Sequence, residues 1–297
     1  MSDISKSAGI NASLQAVNRI TKIAGKAQEA LSSGRKVNKI TDDPRAFQIA
    51  KALTDRALDL GQKKQSVDQG ISALNVANIG VEAIDSFTKQ LKGLAEAARS
   101  ASPDEQRALT EQFNEIGKQI ANLAEDASYN GVNLLAGNNR LDISFDNRTA
   151  SQLQVNGLNL DGTAVDTQNG LFSVAAFQSD GSFNASAFGL TGGSFTAAAS
   201  DPNAINNVVA ALDQGISRLR GQAATLGSNV ALLQERLNFT EEQVNNLTTG
   251  ADKLTLADLN EEAANTVAAQ TGQALGINSI SIAGQQSRAI LQILGNG

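Results

Sequence analysis

The chain has 297 residues, with 24 Lys and Arg against 30 Asp and Glu, and it contains no Cys, His or Trp. Without Cys there is no disulfide framework, thiolate nucleophile or zinc–cysteine site; without His there is no Ser-His-Asp triad, HExxH helix or imidazole proton shuttle. A net charge of −6 is no nucleic-acid signature, and no run of eighteen apolar residues marks a membrane span.

The charge is zoned. Residues 1–66 hold twelve cations and six acids, residues 141–200 one cation and five acids, and the last 35 residues a single charge, Arg288. Only ten Phe and one Tyr serve as aromatics, so Ala, Leu, Ile and Val must build most of the core.

In chain order, residues 1–6 lack the basic patch and apolar run of a cleavable signal peptide, so export is expected to use another route. Residues 4–32 carry a helical stripe of Ile10, Leu14, Val17, Ile20, Ala24, Ala27 and Leu31. A long stripe follows, Leu53, Ala57, Leu60, Val67, Ile71, Leu74, Val81, Ile84, Leu91 and Leu94, with Lys64 and Asn78 as polar breaks. A third, Leu109, Phe113, Ile116, Ile120, Leu123 and Ala127, alternates four and three. Asp43-Pro44, Ser102-Pro103 and Asp201-Pro202 each set an N-cap residue before proline at the first helical position, and Ser102 with Glu105 forms a capping box.

The middle reads differently. Leu141-Asp142-Ile143-Ser144-Phe145 and Leu153-Gln154-Val155 alternate as strands, and Asn156-Gly157 and Asp161-Gly162 are tight-turn dipeptides. A short antiparallel patch is expected within 141–175, while 176–200, rich in Gly, Ser and Ala, has no assignment. Half of the Phe residues fall between 172 and 195, which reads as a small core or a subunit contact.

The strongest signal comes next. Ile205, Val209, Leu212, Ile216, Leu219, Ala223, Leu226, Val230, Leu233, Leu237, Thr240, Val244 and Leu247 alternate four and three without a break. A helix of that span is roughly 65 Å long and needs an equally long partner. The C-terminal end carries Leu259, Ala263, Val267, Ala274, Ile277, Ile282, Ile290 and Ile293. Neither terminal stripe has enough bulk to hold alone, so both are expected to order on each other and on neighbouring subunits. The fold class is mainly α: a long antiparallel coiled-coil helical bundle with terminal helices and a small β-rich central segment. Its parts are 1–42 with 253–297, 43–140 with 201–252, and 141–200.

Several motifs in order resemble bacterial flagellin. Leu31-Ser32-Ser33-Gly34 through Asn38 to Asp42-Asp43-Pro44 looks like that family's leucine-serine-serine-glycine to aspartate-aspartate signature. Gln69-Gly70-Ile71-Ser72 matches its glycine-isoleucine segment, and Tyr129-Asn130-Gly131-Val132 its phenylalanine-asparagine-glycine motif with Tyr for Phe. Ser281-Ile282-Ala283-Gly284-Gln285-Gln286 to Ile290-Leu291-Gln292-Ile293-Leu294 resembles its amphipathic terminus, although this chain continues to Gly295-Asn296-Gly297.

The resemblance implies a filament subunit that supercoils by mixing two packings. Its inner tube would use Ile10, Leu14, Val17, Ile20, Leu31, Val267, Ile277, Ile282, Ile290, Leu291, Ile293 and Leu294. Its outer rods would use Leu53, Leu60, Val67, Ile71, Leu74, Phe113, Ile116, Ile120, Leu212, Leu219, Leu226 and Leu233. It also implies partners: other copies, hook-associated junction and cap proteins, an export chaperone and the export apparatus. Lys89, Gln90, Lys92, Gly93 and Leu94 align with the segment that vertebrate innate receptors recognise, but Gln90 stands for the family's Arg and Gly93 for its Glu, which implies weaker recognition. No cofactor, metal, nucleic acid, membrane insertion or enzymatic activity is expected. Asp42-Asp43, Glu241-Glu242 and Glu261-Glu262 are adjacent on helices or caps and read as surface or capping groups. Two other readings stay open at this stage: the hook–filament junction protein and a cytoplasmic coiled-coil adaptor.

Overall fold

The computed structural model describes residues 2–136, 139–146, 151–158, 160, 172, 176–177, 183–198 and 203–294. The helices are α1 (Ser2–Ser33), α2 (Pro44–Ala98), α3 (Pro103–Asp126), a short α4 (Phe195–Ala198), α5 (Ala204–Thr255) and α6 (Leu259–Leu294). Two hairpins join β1 (Ser128–Tyr129) to β2 (Val132–Asn133) and β3 (Arg140–Ser144) to β4 (Gln152–Asn156). The chain divides into two compact units, one of residues 1–58 and 243–297, the other of 59–242.

Two of the three proline starts lie in described residues, and both are capped. Asp43 Oδ1 accepts from the Arg45 and Ala46 amides at 3.0 Å each. Ser102 and Glu105 make the reciprocal capping box at α3, which satisfies two amides that otherwise have no intrahelical partner. Asp201-Pro202 lies outside the described residues.

Within residues 59–242, α2 and α5 run antiparallel. Lys64 pairs with Glu241 at 3.1 Å and Lys92 with Asp213 at 2.7 Å, at opposite ends of the contact. Such exposed pairs set register more than they add stability. Along α5 in this unit, each of the eleven stripe positions from Ile205 to Thr240 is buried or half-buried. The contributions of Leu60, Val67, Leu74, Leu212, Leu219, Leu226 and Leu233 are buried, and Ile71 is half-buried. On α3, Phe113 and Ile120 are buried and Ile116 is half-buried, but the centre of the buried face is Gln106, Phe113, Gly117, Ile120, Ala121 and Ala124. That face is turned slightly from the stripe of large residues, because small side chains there admit a partner from outside the helices.

The partner is aromatic. Phe113 packs against Phe183, Phe188 and Phe195 with ring centroids 5.7, 6.2 and 5.2 Å away, and Phe172 and Phe177 complete the cluster. The Phe-rich segment is therefore core, not an open patch: Phe172, Phe177, Phe188 and Phe195 are all buried. Glycines seat it. A Cβ on Gly117 would overlap the Phe183 ring, and one on Gly215 of α5 the Phe172 ring. Described parts of 176–200 that carried no assignment form 3₁₀ turns at 185–188 and 191–193 and then α4.

The β-patch forms where alternation placed it, with Leu141 opposite Val155 and Ile143 opposite Leu153. Its inner face rests on α2, where Gly70 leaves room for Ile143 and Gly80 for Leu135. The turn assignment needs correction. Asn156-Gly157 is no hairpin turn: Gly157 is buried, its amide donates to Asn139 O at 2.7 Å, and Leu158 donates to Leu134 O at 2.6 Å. The tight turn is Asn130-Gly131 between β1 and β2, with φ of +49° and +79°, as a two-residue hairpin loop demands. Asp161-Gly162 lies outside the described residues.

Candidate self-assembly surface

Residues 1–58 and 243–297 hold the terminal pair. Helices α1 and α6 run antiparallel: Val17 lies against Gly276, Ile20 against Gly272, and Gln273 Nε2 donates to Thr21 Oγ1 at 3.4 Å. The seam is made largely of small residues, with a few larger ones set against glycine. On α1, Ser13, Ala16, Val17, Ile20, Ala24, Ala27 and Ala30 turn inward; on α6, Glu262, Ala263, Thr266, Ala269, Gly272, Gln273, Gly276 and Ile280 do so. A Cβ at Gly272 would stand 3.4 Å from Ile20 Cδ1, so the helices are in close contact there.

Small residues inside leave large ones outside. Leu14 is 50% exposed, Ile23 55%, Val267 and Leu275 62%, and Ile277 and Ile282 56%. Leu31 and Leu259 are exposed too. The stripe read as one surface thus splits in two: Ile10, Val17 and Ile20 are half-buried, whereas Leu14, Leu31, Val267, Ile277 and Ile282 face away. Ile290, Leu291, Ile293 and Leu294 continue α6 as helix, but their side chains lie outside the described residues.

Between α1 and α2, residues 34–43 form a loop held by hydrogen bonds. Gly34 leaves α1 with φ +70°, a left-handed C-terminal cap that other residues adopt at a cost. Its carbonyl accepts from the Ala257 amide, and Thr255 O accepts from Lys36 and Val37 at 2.8 and 3.3 Å. Asn38 Nδ2 donates to Ser33 Oγ and to Arg35 O. Asp42 Oδ2 accepts from the Lys39 and Asn38 amides at 2.9 and 3.1 Å; those two bonds, Lys39 first, hold its pKa below the usual carboxylate value. Lys39 reaches Glu29 at 2.9 Å, which raises the lysine's pKa. Asp258 Oδ1 caps α6 through the Asn260 and Glu261 amides. Leu53, half-buried on α2, lies beside Gly250.

The receptor-like segment sits on α2 of the other unit. Lys89, Gln90 and Gly93 are exposed, Lys92 and Leu94 half-buried. Lys89 is ion-paired to Asp85, and Lys92 to Asp213. A Cβ on Gly93 would meet open space. Among the described residues no cluster of three or more His, Cys, Asp or Glu could hold a metal ion, and no helix is long and apolar enough to cross a membrane.

Residues 4–140 match the bacterial flagellin N-terminal helical region, and similarity to flagellins runs through the rest of the chain. The chain is similar to bacterial flagellins along nearly its whole length. It is 28% identical over 296 residues to flagellin FljO of Caulobacter vibrioides, covering 99% of this chain and 98% of that one. It is 24% identical to the flagellar filament 33 kDa core protein of Treponema phagedenis, covering 91% of each. A crystal structure of Bacillus cereus flagellin covers 59% of this chain and 88% of its own at 15% identity, with a TM-score of 0.45. Flagellins are a structural family, and the motif that named the family at residues 31–44 is the hydrogen-bonded loop just described. What sequence reasoning missed is the small-residue seam of α1 and α6, since Ala and Gly carry little weight in a hydrophobic stripe.

Proposed function

We propose that this protein is the structural subunit of a bacterial flagellar filament, the extracellular propeller of swimming cells. One observation carries the reading. The terminal pair closes on itself largely with small residues and turns Leu14, Ile23, Val267, Leu275, Ile277 and Ile282 to solvent, an arrangement that wastes burial in a monomer and supplies it in a polymer. The similarity to a filament core protein supports it.

Residues 1–42 and 253–297 then form the inner tube, residues 43–140 and 201–252 the outer rods, and 141–200 completes the outer part. Junction and cap proteins bound the polymer, and an export chaperone covers the C-terminal helix before secretion. A chain without Cys suits passage in the unfolded state. The open face at Gln90 and Gly93 lacks the cation and carboxylate that favour innate-receptor binding, so filaments are expected to signal poorly.

Electron microscopy of purified, polymerised protein tests the reading, together with antibody labelling of sheared cell-surface material. Long labelled tubes are expected. Short caps without tubes would favour the junction protein, and a stable soluble dimer that is never secreted would favour the adaptor.

A further inference from the structure

Three cations on α1 make no ion pair or hydrogen bond to a described residue. Arg19, Lys22 and Lys26 are spaced three and four apart, so they form one stripe, and all three are exposed. They lie on a face of α1 turned away from the α6 seam. Glu29, three residues beyond Lys26, is engaged by Lys39. Like charges at this spacing repel along the helix, so in an isolated subunit the stripe is a cost.

The complementary group lies on the same unit and makes no ion pair with the stripe. Asp258, Glu261 and Glu262 open α6, and the two glutamates make no ion pair with described residues. The helix dipole accommodates acids there, but their spacing also mirrors the stripe: Asp258 to Glu262 is four residues, as is Lys22 to Lys26. Because Val17 meets Gly276 and Ile20 meets Gly272, Lys22 is level with about residue 270. Glu261, which is exposed, is then about nine residues, or roughly 14 Å, further along the axis than Lys22, while Glu262 is half-buried on the side of α6 that faces α1. A second copy displaced along the axis by about that distance brings Glu261 to the stripe. A repeated, displaced contact of unlike surfaces does not close, and it builds a helical polymer.

We infer that the Arg19–Lys22–Lys26 stripe receives the acidic first turn of α6 from a second copy of this chain. The inference rests on the filament reading and adds to it a named contact and an axial offset. Steering by opposite charges would fix register while the exposed apolar residues supply the bulk of the adhesion.

Charge reversal tests it, read as the critical concentration for polymerising purified monomers. K22E/K26E should raise it at least about ten-fold and K22Q/K26Q several-fold, with helix content of the monomer unchanged by far-UV circular dichroism. E261K/E262K should also raise it, and combining K22E/K26E with E261K/E262K should return it to within about three-fold of the wild type. Wild-type concentration for K22E/K26E, or a combined variant no better than its parents, overturns the contact. If the wild-type chain itself forms no filaments, the filament reading fails instead, so the two failures are distinguishable.

Discussion

Leu275→Asp separates adhesion between subunits from stability within one. Leu275 lies on the outward side of α6 and keeps 62% of its surface exposed. Full burial of a leucine is worth about 1.5–3 kcal/mol, so about 1–2 kcal/mol remains to be gained when a second copy covers it. Aspartate forfeits that gain and adds the cost of stripping water from a carboxylate, which brings the loss to about 3 kcal/mol or more. At about 1.4 kcal/mol per decade, the critical concentration should rise at least about a hundred-fold. Leu275→Ala, which forfeits only the burial, should raise it about ten-fold. The monomer should scarcely notice either change, because exposed substitutions stay within about 0.5 kcal/mol apart from helix propensity. Sedimentation of polymer from monomer across a concentration series, paired with thermal melting of the monomer, measures both quantities. A Leu275→Asp variant that polymerises within two-fold of the wild-type concentration would falsify the exposed-face argument. So would a monomer that loses helix, since the residue would then be serving its own subunit.

Other outcomes follow from the rest of the molecule. Phe113→Ala opens the aromatic cluster at a side chain with no exposed surface and should cost about 3–5 kcal/mol, or about 10 °C in the melting of residues 59–242; Phe239→Ala, 54% exposed, should shift it by no more than about 2 °C. Asp42 has a lowered pKa, so its contribution to the 34–43 loop is fully present above the ordinary value of 3.8 and is lost as pH falls through the lower folded value. The Asn38 and Lys39 amide resonances should titrate with a midpoint below 3.8, and that titration should vanish in Asp42→Asn; a midpoint at or above the ordinary value refutes the hydrogen-bond assignment. Gln90→Arg with Gly93→Glu should fold normally, because both sites are exposed and Gly93 faces open space, and should increase innate-receptor reporter activation; no increase sinks the account of weak signalling.

Much of this architecture was legible in the sequence because burial in a long helix pair obeys a 3.5-residue period with little interference from elsewhere. The stripe from Ile205 to Thr240 shows this at every position. Legibility failed where a partner was remote or small. Phe113 lies about sixty residues or more from the rings that surround it, and no local pattern on α3 announces that Gly117 is a socket for Phe183. Of the Asn-Gly dipeptides among the described residues, at 130–131 and at 156–157, the first is a turn and the second is not. At the second, the carbonyl of Asn139 lies so close that any Cβ would strike it, and closeness of that kind is a tertiary fact.

The terminal helices fail for a more informative reason. A hydrophobic stripe weights residues by size, and so it grouped Leu14 with Val17 and Ile20. The folded pair separates them: Val17 and Ile20 pack on Gly276 and Gly272 at the closest approach, while Leu14 turns outward. Two helices that meet through alanine and glycine lie near each other and gain from dispersion, but they bury little area. Such a pair is a poor fold and a good building block, because most of the apolar surface that could stabilise it is still unspent when the monomer is complete. The order of α1 and α6 should therefore depend on neighbours. Amide exchange in residues 10–30 should be fast in monomers and slow in filaments, and equal protection in both would mean that the small-residue seam suffices alone.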